Sequence, residues 1–476
     1  MEINNGYPQV PDGTCHQQRG KTHLLLHPDA PRWVLLNATG LEVAHLCDGQ
    51  HSISQITAAI AQRWDKDPAV IQRDVVSCLD SLQHSGFLSN SLSSASQLEL
   101  PKVGRPWRLY LYLTEQCNLR CRHCAVVHGP RPTHLLNSET IYRLIDQALE
   151  TGVDGIAFSG GEPLLRDDLP DLLEYSARRV KTLLSTNGML LDEPTAAALA
   201  NLGVIVQISL DGATAATHDA IRGGGAFERT WQGIAELQRY DIGDRLALNV
   251  TLMRHNIEQM SEIIDLAVEH GVSGVRFTPL QPMGRAAELW SELAPTREQY
   301  VQAYRFLYQH SHDDGVVVSP GLLGLELEPP ENGLWCGLGR LLLVDSQGDI
   351  YPCSMLTTPQ FQLGNVADTP LAEALASKKL SELVMLAKRR KDEIEACRAC
   401  GWRHFCQASC PASIWLQHGN WYATDGLCDL RQELFRDLIF ERAEIRQRAA
   451  AIFGLCPRRW RGHYPAPDPR LGVRRF

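Results

Sequence analysis

Between residues 107 and 311 the sequence alternates repeatedly between a short apolar run and a stretch with helical spacing, such as T-I-Y-R-L-I-D-Q-A-L-E. The strand-like runs are R-L-Y-L-Y-L-T, G-I-A-F-S-G, T-L-L-S-T-N, V-I-V-Q-I-S-L, L-A-L-N-V-T-L-M and G-V-R-F-T-P-L. Successive βα units of this kind predict an α/β fold whose parallel sheet curls into a partial (β/α)6 barrel. In such folds ligands bind beyond the carboxyl ends of the strands.

Three cysteines follow the first strand-like run directly. Cys117, Cys121 and Cys124 form a CxxxCxxC motif, which therefore falls on the ligand-binding face of the predicted sheet. Three thiolates at this spacing can hold one [4Fe–4S] cluster and leave its fourth iron without a protein ligand. Zinc is the alternative, with His123 or His128 as the fourth ligand, but zinc sites usually combine two separated CxxC pairs. The motif favours a cluster that is open to a cofactor or substrate.

Composition narrows the class of protein. The chain has 476 residues, enough for about two to four domains. Its formal net charge of −9 argues against general affinity for nucleic acid or for an anionic membrane surface. No apolar run has the length of a transmembrane helix, and M-E-I-N-N-G-Y lacks the segments of a secretory signal. The 14 cysteines therefore indicate metal or Fe–S ligation in a reducing cytoplasm rather than disulfides.

The second strand-like run ends in F-S-G-G-E-P, residues 158–163. Two glycines let a backbone approach a bound ligand closely, and Glu162 can accept a hydrogen bond from an ammonium group. Together with CxxxCxxC one strand earlier, this segment resembles the radical S-adenosylmethionine (SAM) superfamily. The resemblance implies that the SAM amine and carboxylate bind the open iron. It also implies that an electron from the reduced cluster cleaves SAM, and that the 5′-deoxyadenosyl radical takes a substrate hydrogen.

Motifs at later strand ends match the same superfamily. S-T-N-G (185–188) and S-L-D-G (209–212) end the third and fourth runs, and H-D-A-I-R-G (218–223) follows. In similar enzymes these positions help to hold the ribose and carboxylate of SAM, and a guanidinium suits the carboxylate. A helix cap or turn is the alternative role for each serine. The candidate SAM-binding residues are Gly160, Gly161, Glu162, Pro163, Ser185, Asn187, Ser209, Asp211, Arg222 and Leu280.

A second set of cysteines lies in the irregular region after residue 330. Cys336, Gly348 and Cys353 form C-x11-G-x4-C, the next four cysteines form C-x2-C-x5-C-x3-C, and Cys428 comes last. The pattern resembles the SPASM domain, which in radical SAM maturases holds two auxiliary Fe–S clusters. The resemblance implies one [4Fe–4S] cluster on Cys397, Cys400, Cys406 and Cys428, and a second cluster on Cys336, Cys353 and Cys410.

The ligand set of the second cluster departs from that of some relatives. Those relatives add an upstream cysteine, but E-L-E-P-P-E-N-G-L-W has none, so an open iron, a non-cysteine ligand or a smaller nuclearity is expected. Ser354 stands where sulfatase-maturing relatives have a proton-accepting Asp, which weakens an alcohol-oxidising interpretation. No general base is evident. Cys47 and Cys78 lie on apolar helix faces and are predicted to be core residues, whereas Cys15 and Cys456 stay unassigned.

Residues 21–90 have the pattern of a small α+β unit. Two β-rich runs flank H-P-D-A-P, and three amphipathic segments follow. W-V-L-L-N, L-C-D-G and D-V-V-S-C-L-D-S-L-Q-H-S-G-F-L resemble the PqqD-like family, winged-helix-like domains that recognise leader peptides of ribosomally made precursors. An edge strand with a neighbouring helix suits an extended peptide. A DNA-binding winged helix is the alternative, but the unit has five Lys and Arg against seven acidic residues.

The sequence thus predicts a succession of parts along the chain. They are a flexible N-terminus (1–20), a PqqD-like domain (21–90), a Ser-rich linker (91–105), a radical SAM partial barrel (106–315), a SPASM domain (330–435) and a C-terminal helix with a basic tail (436–476).

We predict a cytoplasmic radical SAM enzyme that modifies a ribosomally synthesised peptide bound through its N-terminal domain, and that binds neither nucleic acid nor membrane. A thioether or carbon–carbon cross-link is the expected product, with epimerisation or backbone excision as variants, and a flavodoxin- or ferredoxin-type protein is the expected electron donor. One alternative is a radical SAM/SPASM enzyme that acts on a small molecule such as a tetrapyrrole. Another is an Fe–S redox sensor that binds DNA, which leaves G-G-E-P unexplained.

Overall fold

The computed structural model describes residues 7–88, 107–126, 136–310, 316–319, 334 and 336–453, with side chains as far as residue 441. The predicted linker, the basic tail, His128, Cys456 and all but one residue of E-L-E-P-P-E-N-G-L-W lie outside these ranges. None of the helices within them has the length and apolar character of a membrane span.

The described elements follow in chain order. The strands are β1 (Cys15–Arg19), β2 (Thr22–Leu26), β3 (Trp33–Leu36), β4 (Trp107–Tyr112), β5 (Val153–Ser159), β6 (Thr182–Thr186), β7 (Ile205–Ser209), β8 (Leu246–Leu252), β9 (Gly274–Pro279), β10 (Val317–Ser319), β11 (Leu341–Val344), β12 (Asp349–Tyr351) and β13 (Gly364–Asn365). The helices are α1 (Ala38–Leu46), α2 (Ile53–Trp64), α3 (Pro68–His84), α4 (Ser138–Glu150), α5 (Leu169–Ala177), α6 (Glu193–Leu202), α7 (Ala215–Arg222), α8 (Ala226–Gln238), α9 (Met260–Glu269), α10 (Gly284–Glu288), α11 (Trp290–Leu293), α12 (Arg297–His310), α13 (Leu371–Ala376), α14 (Lys378–Glu393), α15 (Glu395–Arg398), α16 (Arg403–Cys406), α17 (Pro411–His418) and α18 (Cys428–Phe453).

The larger sheet is open and mostly parallel. Its strand order is β10-β9-β8-β7-β6-β5-β4-β11-β12-β13. Strands β4 to β9 are parallel neighbours, which confirms the six predicted βα units. Strand β11 adds parallel to β4, and β12 and β13 follow antiparallel. The α/β fold with a partial barrel is therefore confirmed, and its sheet continues into the cysteine-rich region.

Amphipathic helices cover one face of this sheet. In α4, Ile141, Leu144, Ile145 and Ala148 are all at most 2% exposed, and they join the core that the strands form. The helix begins where Asn137 accepts a hydrogen bond from the Thr140 N–H at 2.9 Å. Burial of each leucine-sized side chain stabilises the fold by about 1.5–3 kcal/mol. This packing holds the strand ends, and so the loops beyond them, in fixed positions.

The N-terminal domain consists of a three-stranded antiparallel sheet and three helices. The predicted runs appear as β2 and β3, and α1 to α3 pack on one side of them. Residues 15–19, predicted to lie in a flexible N-terminus, form β1 and pair along β2. Their polar sequence, C-H-Q-Q-R, gives little strand signal, because backbone pairing with β2 decides the conformation.

The outer face of the small sheet packs on the C-terminal cysteine-rich region. Leu24 and Leu26 join Trp402, Phe405 and Phe435 in one buried apolar cluster. The rings of Trp402 and Phe435 stack with centroids 5.7 Å apart. A polar contact lies beside this cluster, since His404 Nε2 is 3.0 Å from the Pro28 carbonyl oxygen. The N-terminal domain is thereby joined to the segment that carries Cys400 and Cys406.

Candidate functional site

The CxxxCxxC loop begins just beyond the end of β4. Cys121 is 7% exposed, and Cys117 and Cys124 are half-buried. Burial, as the main cause, raises the pKa of Cys117 to about 11 and also raises that of Cys121. Free thiols here are thus disfavoured as anions, whereas iron binding removes the proton outright.

Two distant segments hold this loop in place. From α7, the Ile221 carbonyl accepts a hydrogen bond from the Arg122 N–H at 2.9 Å. From the start of α10, Arg285 donates its backbone N–H to Cys124 O at 3.0 Å and its Nε–H to Cys121 O at 2.7 Å. The cysteine spacing is therefore supported by the fourth and sixth strand–helix connections.

The G-G-E-P segment packs against the chain that leads into the cysteine loop. Gly161 N–H donates to Thr114 O at 2.7 Å, and Glu162 N–H donates to Gln116 O at 2.8 Å. Gly160 has φ +129°, and a Cβ there would lie 2.5 Å from Thr114 O. A Cβ on Gly161 would clash with Gln116 O. We predicted that these glycines admit a ligand; the structure shows that the neighbouring backbone itself requires them.

Glu162 joins the ends of the second and third strands. Its carboxylate is fully buried and accepts hydrogen bonds from Thr186 Oγ1 at 2.7 Å, Asn187 N at 2.8 Å and Leu164 N at 3.1 Å. Burial raises its pKa despite these donors. The side-chain amide of Asn187 in turn donates a hydrogen bond to Asn118 Oδ1 at 2.8 Å. Glu162 thus connects two strand ends to the cysteine loop, and its contact with the SAM ammonium stays a prediction.

Asp211 and Arg222 form a buried ion pair beside Cys121. Arg222 Nε lies 2.7 Å from Asp211 Oδ2, and the carboxylate also accepts from the Thr251 N–H at 2.8 Å. Burial opposes ionisation of Asp211, but Arg222, His123 and the Thr251 N–H together outweigh it, so the pKa of the carboxyl lies below its usual value. Arg222 Nη1 is 3.9 Å from Cys121 Sγ. Asp211 thereby holds a guanidinium at the cysteine loop.

Within the described structure, buried nitrogen atoms without a hydrogen-bond partner lie beside this loop, and they indicate whether a cluster with SAM fits. His123 Nε2 lies 3.3 Å from Asp211 Oδ2, and burial lowers the His123 pKa to about 4. Among the described side chains, His123 Nδ1 and Arg285 Nη2 are buried without a hydrogen-bond partner. Buried polar groups normally have partners. The three thiols can bind iron, and the Arg222 guanidinium together with the two unpaired nitrogen atoms can bind a polar, anionic ligand. The residues at this site therefore fit a cluster with SAM.

The other predicted SAM-binding residues surround this centre. Ser185 and Ser209 are half-buried on the sheet face opposite the helix-packed Leu184 and Ile208. Pro163 and Leu280 are buried, at the ends of β5 and β9. The structure thus brings all of the predicted SAM-binding residues to the carboxyl end of the sheet.

Several residues at this site were not predicted. Arg285 and Asn118 belong to the site through their contacts with the cysteine loop and with Asn187, and no sequence pattern marks them. Gln207 and Asn249, in contrast, lie in strand register beside Ser185 and Ser209. The period-two alternation in V-I-V-Q-I-S-L is the signal that could have identified Gln207.

The C-terminal cysteines influence one another in two groups, and the clusters that these groups hold stay a prediction. Burial and then the Cys410 thiol raise the pKa of both Cys353 and Cys336 to about 12. Burial, and then Cys406, Cys428 and Cys400, raise the pKa of Cys397 to about 12. In the described ranges no three His, Cys, Asp or Glu side chains are spaced to hold a single metal ion. This agrees with Fe–S clusters, because each cysteine of a cluster binds a different iron, so its thiolates lie further apart than the ligands of a single metal ion.

The remaining described cysteines have two different surroundings. Cys47 and Cys78 lie in the helical core of the N-terminal domain, as predicted. Cys15 instead packs against the same apolar cluster as Cys400 and Cys406, and a Cβ on Gly401 would lie 2.9 Å from its sulfur. Strand β1 therefore reaches the segment between Cys400 and Cys406.

A cavity of about 240 Å³ lies beyond β9. Leu280, Tyr300 and Cys410 contribute to its lining, together with Asp425 and Arg431. The last two form an ion pair with Arg431 Nη1 2.8 Å from Asp425 Oδ1. The cavity thus lies between the end of β9, the last of the six central strands, and Cys410.

Family models match three parts of the chain. Residues 22–88 match the coenzyme PQQ synthesis protein D (PqqD) model, residues 111–267 match the radical SAM superfamily, and residues 336–401 match the SPASM iron–sulfur cluster-binding domain. The three resemblances predicted from the sequence are confirmed.

Relatives agree with these models. The mycofactocin maturase MftC of Mycolicibacterium smegmatis is 32% identical over 315 residues, which cover 63% of this chain and 77% of that protein. The AdoMet-dependent heme synthase of Nitratidesulfovibrio vulgaris is 29% identical over 346 residues, or 67% of this chain and 91% of that protein. Streptococcus suis SuiB bound to precursor peptide SuiA has a similar fold, with a TM-score of 0.54, 16% identity, and coverage of 88% of this chain and 99% of that chain. The chain therefore belongs to the family of radical SAM/SPASM enzymes that includes the mycofactocin maturases, and it carries a PqqD domain ahead of the radical SAM domain.

Proposed function

We propose that this enzyme modifies a ribosomally synthesised precursor peptide that its N-terminal domain recruits. The observation that carries the proposal is the packing of a PqqD domain onto the cysteine-rich region of the same chain, through Leu24, Leu26 and Trp402. Peptide recognition and radical chemistry are thereby joined in one molecule. The maturase relative supports a peptide substrate. The heme synthase relatives favour a small molecule instead, but such a substrate gives the PqqD domain no role.

The residues at the carboxyl end of the sheet have distinct roles in this proposal. Cys117, Cys121 and Cys124 hold a [4Fe–4S] cluster. When reduced and bound to SAM, that cluster supplies the electron that produces a 5′-deoxyadenosyl radical. Arg222, oriented by Asp211, offers its guanidinium to the SAM carboxylate.

Further residues position SAM and separate it from water. Glu162 accepts a hydrogen bond from the SAM ammonium, while Asn187 connects Glu162 to the cysteine loop. Ser185 and Ser209 face the ribose from the polar side of the sheet. Burial of Glu162 limits water at the reacting centre.

The auxiliary cysteines are proposed to hold two further clusters. Cys397, Cys400, Cys406 and Cys428 would hold a [4Fe–4S] cluster, and Cys336, Cys353 and Cys410 would hold the second cluster with one position open. These clusters would accept the electron released when a thioether or carbon–carbon cross-link forms. A flavodoxin- or ferredoxin-type donor in the cytoplasm would supply the first electron.

Reductive cleavage of SAM tests the enzyme class. We expect the anaerobically reconstituted full chain to form 5′-deoxyadenosine from SAM with dithionite. The peptide encoded by a short reading frame beside the gene should increase that rate and change in mass. Complete absence of 5′-deoxyadenosine would refute the proposed activity, whereas cleavage with no change in the peptide would favour a small-molecule substrate.

Peptide recruitment by the N-terminal domain predicts a specific binding position, the edge of strand β3. Strand β3 lies at an edge of the small sheet. Because His27 N–H donates to Arg32 O, the alternating antiparallel pattern directs the backbone groups of Trp33 and Leu35 toward that edge. We expect the peptide to slow amide hydrogen exchange in β3, with β1 at the opposite edge as the internal control. Unchanged exchange in β3 at saturating peptide would contradict recruitment there.

A further inference from the structure

Arg390 is a fully buried cation in α14. Its exposed fraction is 0%, and its guanidinium donates to three backbone carbonyls. Nε lies 2.6 Å from Trp421 O, Nη1 lies 3.1 Å from Ser409 O, and Nη2 lies 3.4 Å from Ala423 O. The first and third acceptors precede Cys428, and the second directly precedes Cys410. Arg390 therefore joins two loops that carry auxiliary cysteines.

Within the described part of the chain, no carboxylate forms an ion pair with Arg390. Its neighbour Arg389 pairs with Glu393, and the other buried arginine of this region, Arg431, pairs with Asp425. A buried charge without a counter-ion costs several kcal/mol. The structure therefore requires another source of negative charge beside Arg390.

Cysteines of both auxiliary sets would supply that charge once they bind iron as thiolates. Burial lowers the pKa of Arg390, whereas the nearby thiols of Cys410, Cys397, Cys336 and Cys406 raise it. Cys336 and Cys410 belong to one proposed cluster, and Cys397 and Cys406 belong to the other. The hydrogen bonds of Arg390 agree with this, since Ser409 O directly precedes Cys410 of one set, whereas Trp421 O and Ala423 O lie on the loop that leads to Cys428 of the other.

The turn between Cys406 and Cys410 needs such support. Gln407, Ala408 and Ser409 have φ values of +53°, +60° and +66°, a left-handed conformation that non-glycine residues rarely adopt. Each such residue costs on the order of 1 kcal/mol or more. The hydrogen bond from Arg390 to Ser409 O helps to hold this turn, which directs Cys406 and Cys410 into different sets.

We propose that Arg390 is the shared counter-ion of the two auxiliary Fe–S clusters. The inference rests on the proposed auxiliary ligand sets. Thiolate-bound clusters are anionic, and their reduction potentials depend on net charge and hydrogen bonding. A buried cation near both of them stabilises the added electron, so Arg390 raises both auxiliary reduction potentials. Arg390 is a positioning residue, since it acts through the clusters and their ligand loops.

The test uses the full-length reconstituted chain and its Arg390→Gln, Arg390→Lys and Arg389→Gln variants. Iron content and EPR-monitored redox titration are measured without any peptide substrate. We expect Arg390→Gln to make auxiliary-cluster reduction at least about tenfold less favourable, which is a fall of about 59 mV for one electron. Arg390→Lys keeps the charge and should stay near the wild-type potentials. Arg389→Gln, on the same helix but exposed and paired with Glu393, should change nothing.

The other possible results either support the counter-ion role, overturn it, or refute the auxiliary ligand sets on which it rests. Loss of auxiliary iron in Arg390→Gln, with iron retained in Arg390→Lys, would also support a charge role. Equal loss in both variants would show that the hydrogen bonds alone matter and would overturn the counter-ion. Unchanged potentials in Arg390→Gln would overturn it as well. A wild-type chain with only about four irons would refute the auxiliary ligand sets, and the inference with them.

Discussion

Arg222→Gln should reduce SAM cleavage by at least about 100-fold and destabilise the protein by about 3–5 kcal/mol. The substitution leaves the fully buried Asp211 carboxylate without its counter-ion. It also removes the guanidinium whose Nη1 lies 3.9 Å from Cys121 Sγ of the cysteine loop. Formation of 5′-deoxyadenosine and the denaturant midpoint measure the two effects.

Arg229→Gln is the matched control for this prediction. Arg229 lies on the adjacent helix α8 and is exposed, so its loss should leave both quantities unchanged. Arg222→Lys separates the two roles, since a lysine retains the charge beside Asp211 but loses the planar fork. Wild-type SAM cleavage in Arg222→Gln would rule out the proposed carboxylate contact.

Gly161→Ala should displace the G-G-E-P segment and prevent loading of the cluster on the CxxxCxxC loop. The added Cβ would meet the backbone oxygen of Gln116, which cannot rotate away as a side chain can. Overpacking of this kind costs about 1–3 kcal/mol or more. The displaced backbone adjoins the start of the cysteine loop, so iron content should fall together with SAM cleavage.

Gly224→Ala provides the comparison. A Cβ on Gly224 meets nothing within 4 Å, so this substitution should be neutral for iron content, SAM cleavage and stability. Gly161→Ala protein with full iron content and full SAM cleavage would show that the close backbone approach is not needed.

Much of the site was predictable because its signals are local. The strand that ends at Tyr112 was visible from its apolar pattern, and the three cysteines follow within twelve residues. Parallel βα order then places Glu162, Asn187 and Asp211 at one edge of the sheet, although each belongs to a different strand end. Local order alone therefore assembles the predicted SAM-binding residues.

Contacts between distant segments were not predictable in the same way. Arg285 binds Cys121 across 164 positions of sequence, and no periodicity marks it. Strand β1 escaped prediction because C-H-Q-Q-R becomes a strand only by pairing with β2. The glycines of G-G-E-P were predicted to be necessary, but the reason lies in the backbone of Thr114 and Gln116.

By itself the sequence determined the parallel α/β fold, the three-cysteine motif and the SPASM cysteine pattern, since periodicity and spacing are properties of short segments. The tertiary structure alone decided which charges lie together. It places Arg222 against Asp211 and Arg390 against the carbonyl oxygen of Ser409, and it brings Leu24 and Trp402 into one buried cluster. The physical reason is that burial and pairing depend on chain segments far apart in sequence. The cost of an isolated buried charge makes those partners necessary, but only the folded chain shows which they are.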